Sequence, residues 1–572
     1  MRPRFLLLPL LLAMTAPAHA AWLHLCPQAG APAQQPYADT VDADGTRLRW
    51  QPADQPARAG CAGIALPPGA RVETLFPLVP DEDIERTVLL HGRMREGRFA
   101  VSEHVLPSGR PGSPGSPKPS PMPLRANLLE RMGARAYGVE ERVRVRLDQG
   151  RLAVVCGAGT RPAGVLLTGP WFLARARLRL AASYTGGAGF TLQAADAAHA
   201  ERETALGLGA LPARAAAAEP LRLALPPALD PAAWRHFVLQ CPAQAGSLTV
   251  EGLSIEPDPA PADASVIAAA VRSTWVWKAA DWREHGARLL DWAAAHGVRD
   301  LFITVPFRND AVREPSALAA FIRAAGGRGI RVLSVDGDPH MVLPEHQAAL
   351  ARMVRAYAAY NAGVEPAARL AGLQFDVEPY LLPEYGAGKI DWDARYLAMA
   401  RSLRAAAGSL RLELVLPFWW DGKTALLDGL APLVDALAVM DYRTDPAQLT
   451  AFAIPFLDWG VRHHKQVRIA LEAGEIAPET QRRYVRAEPG EAGQLLRLRV
   501  DGRQVLVLLR EPVVADAPGI ERFRLQSTRE IDGSATTFHK DKPALLRLLP
   551  GLESDFSAWG HAFSGIALHE LR

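Results

Sequence analysis

From residue 265 onward, apolar runs of strand length alternate with segments of helical periodicity, and this alternation limits the fold more than any other feature. Strands separated by helices pair in parallel, because each helix carries the chain back to begin the next strand in the same direction. Parallel sheets are covered on both faces, so their strands read as continuous apolar runs. Eight such runs are present, at residues 274–278, 300–307, 331–336, 373–378, 412–418, 436–442, 467–472 and 565–570. The stretches between them are helical in pattern. Residues 282–296 carry Leu289, Leu290 and Trp292 on one side and stop at Gly297, and residues 344–360 and 391–407 are similar. Eight β/α units predict a (β/α)8 TIM barrel over residues 265–572.

The barrel is interrupted once, between strands seven and eight. Residues 495–500 and 504–509 alternate around Asp501-Gly502, a pair suited to a two-residue turn with positive φ, so a β-hairpin insertion is expected there. The pattern ahead of the barrel is different. Residues 142–147, 174–180 and 247–250 alternate polar and apolar, with Gly-rich turns between them. Short alternating strands at this spacing predict an antiparallel β-sandwich over residues 124–256, suited to carbohydrate binding or to a spacer role. Residues 21–106 hold short strand-like runs, such as 87–90, and read as a separate β-rich segment. Residues 107–123 are rich in Pro, Gly and Ser and read as a linker or loop. A second break is the Pro-rich run at 256–261.

At 572 residues the chain exceeds one ordinary core. Its N-terminus reads as an address: Arg2 and Arg4, a short apolar run at 5–14, and Ala18-His19-Ala20. That order predicts a secretory signal over residues 1–20, removed after Ala20. No later run is long and apolar enough to span a bilayer, so the mature chain is expected in the periplasm or outside the cell. Export permits disulfides, and the four cysteines allow three pairings. Cys26–Cys61 with Cys156–Cys241 is favoured, since each pair closes one segment. The formal charge is +3, two of which are Arg2 and Arg4. A near-neutral chain has no electrostatic case for nucleic acid or an anionic membrane.

In a barrel of this kind the active site lies where the strands end. Strand one ends near Trp275 and Trp277, strand three at Asp336 and Asp338, and strand four at Gln374, Asp376 and Glu378. Strand five ends at Trp419, Trp420 and Asp421, strand six at Asp441 and Tyr442, strand seven at Glu472 and strand eight at His569. Acids and aromatics on one rim suit a sugar-binding cleft, where rings stack on apolar sugar faces and carboxylates accept hydroxyls. Gln374, Asp376 and Glu378 share one face, because strand side chains alternate with period two. Two close carboxylates resist joint ionisation, so one holds a proton toward neutral pH and can donate it to a leaving oxygen. The plainer reading pairs one of these acids with a barrel arginine. Trp419 and Trp420 are consecutive, so only one of them can face the mouth. Trp275 and Trp277 share a face and either line the cleft or pack beneath it.

These pieces resemble glycoside hydrolase family 18, which carries D-x-x-D-x-D-x-E at strand four and M-x-Y-D at strand six. At the four acidic positions of strand four this chain has Ala371, Gln374, Asp376 and Glu378, so the last two match. At strand six Met440 and Tyr442 match, and Arg443 replaces the final acid. The resemblance implies Glu378 as general acid/base, Asp376 orienting a substrate acetamido group and Tyr442 helping to hold it. The region from Trp275 to Glu570 also resembles a group of exported bacterial proteins with family-18-like barrels, through F-D-V-E-P-Y, P-F-W-W-D and G-I-A-L-H.

A second geometry places the acid/base at Glu378, before Pro379, and a nucleophile at Glu472. It calls for carboxyls about 5–5.5 Å apart, whereas an inverting pair stands about 6.5–9.5 Å apart. The alternative for Glu472 is a salt bridge to an arginine such as Arg443. Asp336, Asp338 and His340 could be read as metal ligands, but no H-x-x-x-H accompanies them, so no metal and no cofactor is expected. The chain is therefore read as an exported hydrolase of a polysaccharide or oligosaccharide. A glycan-binding or assembly protein without catalysis is its rival, and a polysaccharide deacetylase the weaker alternative.

Overall fold

The computed structural model describes residues 21–27, 38–41, 47–78, 84, 86–105, 120–169, 171–172, 174–196, 206–215, 218–225, 235–258, 271–382, 385, 390–514 and 519–572. The expected signal at 1–20 and most of the 107–123 linker lie outside them.

Eight parallel strands close into a barrel in chain order: β1 (Arg272–Val276), β2 (Val298–Ile303), β3 (Arg331–Asp336), β4 (Leu373–Phe375), β5 (Leu412–Pro417), β6 (Ala436–Met440), β7 (Gln466–Glu472) and β8 (Phe563–His569). Each falls on one of the eight apolar runs. β4 is shorter than its run. The Asp376 N–H turns to Asp336 O on β3 at 2.9 Å, and Pro379, which has no N–H, opens a 3-10 turn at Pro379–Leu381. Period-two alternation sends Trp275, Phe302, Leu333, Val335, Ala470 and Ala567 into one interior cluster. Val415, Ala438 and Met440 form its neighbour, and Tyr442 packs against both.

Polar side chains also fill the interior. Arg468 on β7 is 1% exposed and bonds Asp300 at 2.9 Å, Ser273 at 3.1 Å and Glu413 at 3.3 Å. Asp300 takes a second, two-pronged bond from Arg331, at 2.8 Å on each oxygen. Glu413 accepts from Gln374 at 2.8 Å, and the Gln374 oxygen accepts the Trp275 indole N–H at 2.5 Å. Burying a charge costs several kcal/mol unless it is paired, so these groups stand or fall together.

The sandwich belongs to the same compact unit as the barrel. One five-stranded sheet runs Val143–Asp148, Arg151–Cys156, Gly246–Pro257, Leu178–Gly186, Leu221–Ala224. The other runs Leu206–Ala210, Thr191–Asp196, Arg235–Gln240, Ala163–Thr168, Gly133–Gly138. The Cys156–Cys241 disulfide ties the first sheet to the end of a strand in the second. Against the barrel, Arg125 grips Asp555 at 2.5 Å, and the Arg175 and Arg177 N–H groups donate to Asp458 (2.6 Å) and Ala558 O (3.1 Å).

The second compact unit is built from residues 1–112, 380–390 and 477–532. It contains a four-stranded sheet (Ala38–Val41, Arg47–Ala53, Trp22–Pro27, Ala62–Ala65), stapled by the Cys26–Cys61 disulfide. It also contains a seven-stranded sheet in the order Val72–Leu78, Arg503–Val513, Gly493–Val500, Ile520–Ile531, Glu479–Arg486, Thr87–Arg95, Arg98–Val105. Here the structure departs from the sequence reading. The insertion is four strands rather than one hairpin, and it shares a sheet with residues 72–105 instead of hanging from the barrel domain. The turn itself is as read: Val500 pairs with Arg503 across Asp501 (φ 47°) and Gly502 (φ 72°). The reason for the larger sheet is burial on both faces. Val505 to Leu509 are all fully buried. Val505, Val507 and Leu509 pack with Leu23 and Trp50, while Leu506 and Leu508 pack with Val88 and Phe99. No helix among the described residues is long and apolar enough to cross a membrane.

Candidate active site

At the end of β4 the chain places Asp376 and Glu378, both half-buried and two residues apart. Asp376 Oδ1 is sealed from solvent and has no hydrogen-bond partner. Burial pushes the Asp376 carboxyl up to about 7. The Glu378 charge adds to the rise and His569 opposes it. Gln374, one turn of the pleat earlier, is fully buried with its amide committed to Trp275 and Glu413. It ties the site to the barrel interior and offers nothing to a ligand, unlike the substrate contact expected of it.

Around this pair stand residues from four other strands. Tyr442 follows β6, its ring stacked on His569 at 6.1 Å and 12°. Burial raises its phenol far above the usual range, and so do the charges of Glu472, Asp376, Glu378 and Glu570. Glu472, at the end of β7, has both oxygens engaged: Oε1 accepts the Gly474 N–H at 2.5 Å and Oε2 meets His569 Nδ1 at 2.7 Å. Its partner is thus a histidine, not Arg443. The Arg443 guanidinium lies 4.5 Å over Phe418 and donates to the Tyr442 carbonyl at 2.7 Å. His569 Nε2 accepts the Trp277 indole N–H at 3.2 Å.

The tryptophan pairs divide. Trp277 and Trp419 are 36% and 54% exposed. Trp275 is buried, edge-on to His569 at 5.6 Å, and Trp420 is buried against Tyr396 at 5.1 Å. Asp336 is half-buried, and burial raises its carboxyl despite the Gly337 N–H bond at 2.8 Å. Asp338 instead caps the turn Pro339–Val342, accepting the His340 N–H at 2.8 Å and meeting Nδ1 at 2.7 Å, and these bonds hold its carboxyl low. Asp421 lies half-buried in the turn Phe418–Gly422. Asp441 is fully buried, and neither carboxyl oxygen has a hydrogen-bond partner. Burial drives its pKa well up. Asp441 follows the last residue of β6, where the chain bends so that the Asp441 N–H bonds Val439 O at 2.9 Å.

Sequence reasoning missed the Arg468–Asp300–Glu413 network. Its signal was present, since a charged residue inside an apolar strand run demands a buried partner. It also missed Tyr396, fully buried beneath the carboxylates, whose phenol is raised by burial and by Asp376 and Glu378.

The site can hold a proton on Asp376 near neutral pH, and the exposed Trp277 indole is tied to the same site through His569. No protein-family model matches the chain, nor does any curated protein sequence. Among solved structures it is similar to the C-terminal domain of a putative chitinase from Desulfitobacterium hafniense DCB-2, at 11% identity over 52% of this chain and 93% of that one (TM-score 0.29). It is also similar to a chitinase from Bacteroides thetaiotaomicron, at 10% identity over 52% and 89% (0.28). A third likeness is the Clostridium thermocellum xylanase CBM22–GH10 modules, at 10% identity over 62% and 82% (0.25). Likenesses this distant say nothing of the reaction; what the structure itself shows is a closed barrel of eight parallel strands with acids and aromatics at its strand ends.

Proposed function

We propose that the protein is an exported glycoside hydrolase acting on a polysaccharide or oligosaccharide, with Glu378 as general acid/base and Asp376 as its proton partner. The observation that carries this reading is the placing of Asp376 and Glu378 together at the end of β4, where burial and the Glu378 charge push the Asp376 carboxyl up to about 7, so that Asp376 holds a proton it can share with Glu378. A general acid works best when its pKa lies near the working pH. The partial match to family 18 adds Tyr442, whose phenol feels both carboxylates. Both Glu472 oxygens are already bonded, which favours attack by water or by a substrate acetamido group over attack by Glu472. The signal-like N-terminus and two disulfides support export.

One observation favours the non-catalytic rival. Gln374 stands where family 18 has an acid, and its amide is locked to Trp275 and Glu413. The test is hydrolysis of a panel of soluble glycans, β-linked N-acetylhexosamine polymers included, by the purified protein and by Glu378→Gln. The expected loss is roughly 10²–10⁴-fold, the usual contribution of a general acid. Equal turnover removes Glu378 from the mechanism. Glycan affinity with no turnover in either protein supports the rival.

A further inference from the structure

Trp277 is an exposed indole held at its edge. Its Nε1–H donates to His569 Nε2 at 3.2 Å, His569 Nδ1 meets Glu472 Oε2 at 2.7 Å, and Glu472 Oε1 accepts the Gly474 N–H at 2.5 Å. One form of the imidazole satisfies both of its contacts: the neutral ring with its proton on Nδ1 and a bare Nε2. An imidazolium keeps the Glu472 bond but turns a second N–H against the indole N–H. We propose that Glu472 and His569 are positioning residues that orient Trp277 as a stacking platform for a sugar ring, released when His569 gains a proton. The sugar in this statement rests on the function proposed above; the switch rests on the three contacts.

The groups facing His569 set where it titrates. Glu472 approaches from β7, Asp376 from the end of β4, and Glu570 follows on its own strand. Tyr442 stacks on one face, and Trp275 from β1 meets the ring edge-on. Lys542 Nζ is held by the backbone oxygens of Glu570 and Leu571. Burial opposes the charged ring, but the Glu472 bond and the acids outweigh it, so the His569 pKa is raised. The platform is therefore engaged on the alkaline side and loosened on the acid side. Asp376 keeps its proton on the acid side of about 7, whereas the platform needs His569 without its second proton, so the two titrations leave a limited window near neutrality.

The test follows indole N–H resonances of the ¹⁵N-Trp-labelled full chain from pH 5 to 9, with Trp277 assigned by its loss in Trp277→Phe. In the wild type that resonance should shift with one midpoint above about 6.5, the ordinary imidazole value. His569→Gln can donate to Glu472 and accept from Trp277 without titrating, so it should hold the high-pH position throughout. His569→Ala should show a released indole at every pH. Affinity for the β-1,4-linked N-acetylglucosamine pentamer should fall about tenfold in Trp277→Ala, the scale of a ring-stacking contact. A Trp277 resonance indifferent to pH, or unmoved by His569→Ala, overturns the positioning. Unchanged pentamer affinity in Trp277→Ala overturns the platform. Absence of hydrolysis with both results intact overturns the proposed reaction and leaves this inference standing.

Discussion

At the scale of single residues, Asp376 shows how burial makes chemistry at a cost in stability. Its carboxyl is raised to about 7 by burial first and by Glu378 second. In the unfolded chain the same group titrates near 4. The folded state therefore holds the proton more tightly, and this contribution is whole below about pH 4. It is lost as pH climbs through 7, where the loss levels off. Asp376→Asn should raise unfolding stability at pH 8 by on the order of 4 kcal/mol, give little gain at pH 4, and lose turnover at both. Urea melts at the two pH values check the sign; a gain at pH 4 equal to that at pH 8 would refute it. The proximity of Asp376 and Glu378, whose charge is felt at Asp376, was legible from their two-residue spacing, although β4 itself ends at Phe375. The fates of Gln374 and Asp441 were not. Gln374 meets Trp275 from β1 and Glu413 from β5, contacts that only barrel closure creates. Asp441 lies at an apolar strand end where an acid invites a functional reading, yet its carboxyl is fully buried with neither oxygen hydrogen-bonded, which no local pattern signals.

At the scale of elements, the ends of β3 and β4 approach too closely for any side chain between them. A Cβ on Gly337 would lie 2.3 Å from Asp376 O and 3.1 Å from Asp376 Cβ. Because Asp336 O also takes the Asp376 N–H at 2.9 Å, there is little room for either strand end to yield. Gly337→Ala should cost roughly 1–3 kcal/mol as an overpacked site, and should lower turnover further by displacing Asp376. Gly363, at the end of the helix Gln347–Gly363, has open space around its added Cβ and serves as the control. Thermal unfolding and turnover of the two variants separate these effects. Equal behaviour of Gly337→Ala and Gly363→Ala would mean that β3 does not position Asp376. All eight strands were readable as apolar runs because helices cover them. The larger partner of the insertion was not, since Arg482 pairs with Leu90 and Val507 with Leu75 across most of the chain, and no local pattern encodes so distant a neighbour.

At the scale of the whole molecule, the sandwich grips the segment that feeds β8, the strand that carries His569. Asp555, Ala558 and Trp559 all lie in that approach, and Asp458 on the helix Pro446–His463 joins two of the parts. One oxygen of Asp458 accepts both the Arg175 N–H, from the sandwich, and the Trp559 indole N–H, at 2.6 and 2.7 Å. Burial pushes this carboxyl up to about 7. The two bonds and the charges of Arg175 and Arg462 pull the other way. The sign is that of Asp376: stability from this group is whole below about pH 4 and lost as pH rises through 7. Asp458→Asn keeps an oxygen for both donors and removes the charge, so it should be neutral at pH 4 and stabilising at pH 8. Asp458→Ala strands two buried donors, each costing roughly 1–3 kcal/mol, and should be destabilising at both pH values. Hydrogen exchange at the Arg175 amide and the Trp559 indole should quicken in the alanine variant before global unfolding does. If the alanine variant unfolds like the wild type and both protons stay protected, Asp458 does not fasten the sandwich, and contacts such as Arg125–Asp555 and the Arg177 N–H do. Faster exchange there, together with a changed His569 titration, would make the sandwich part of the frame that holds the active-site rim rather than a passive spacer.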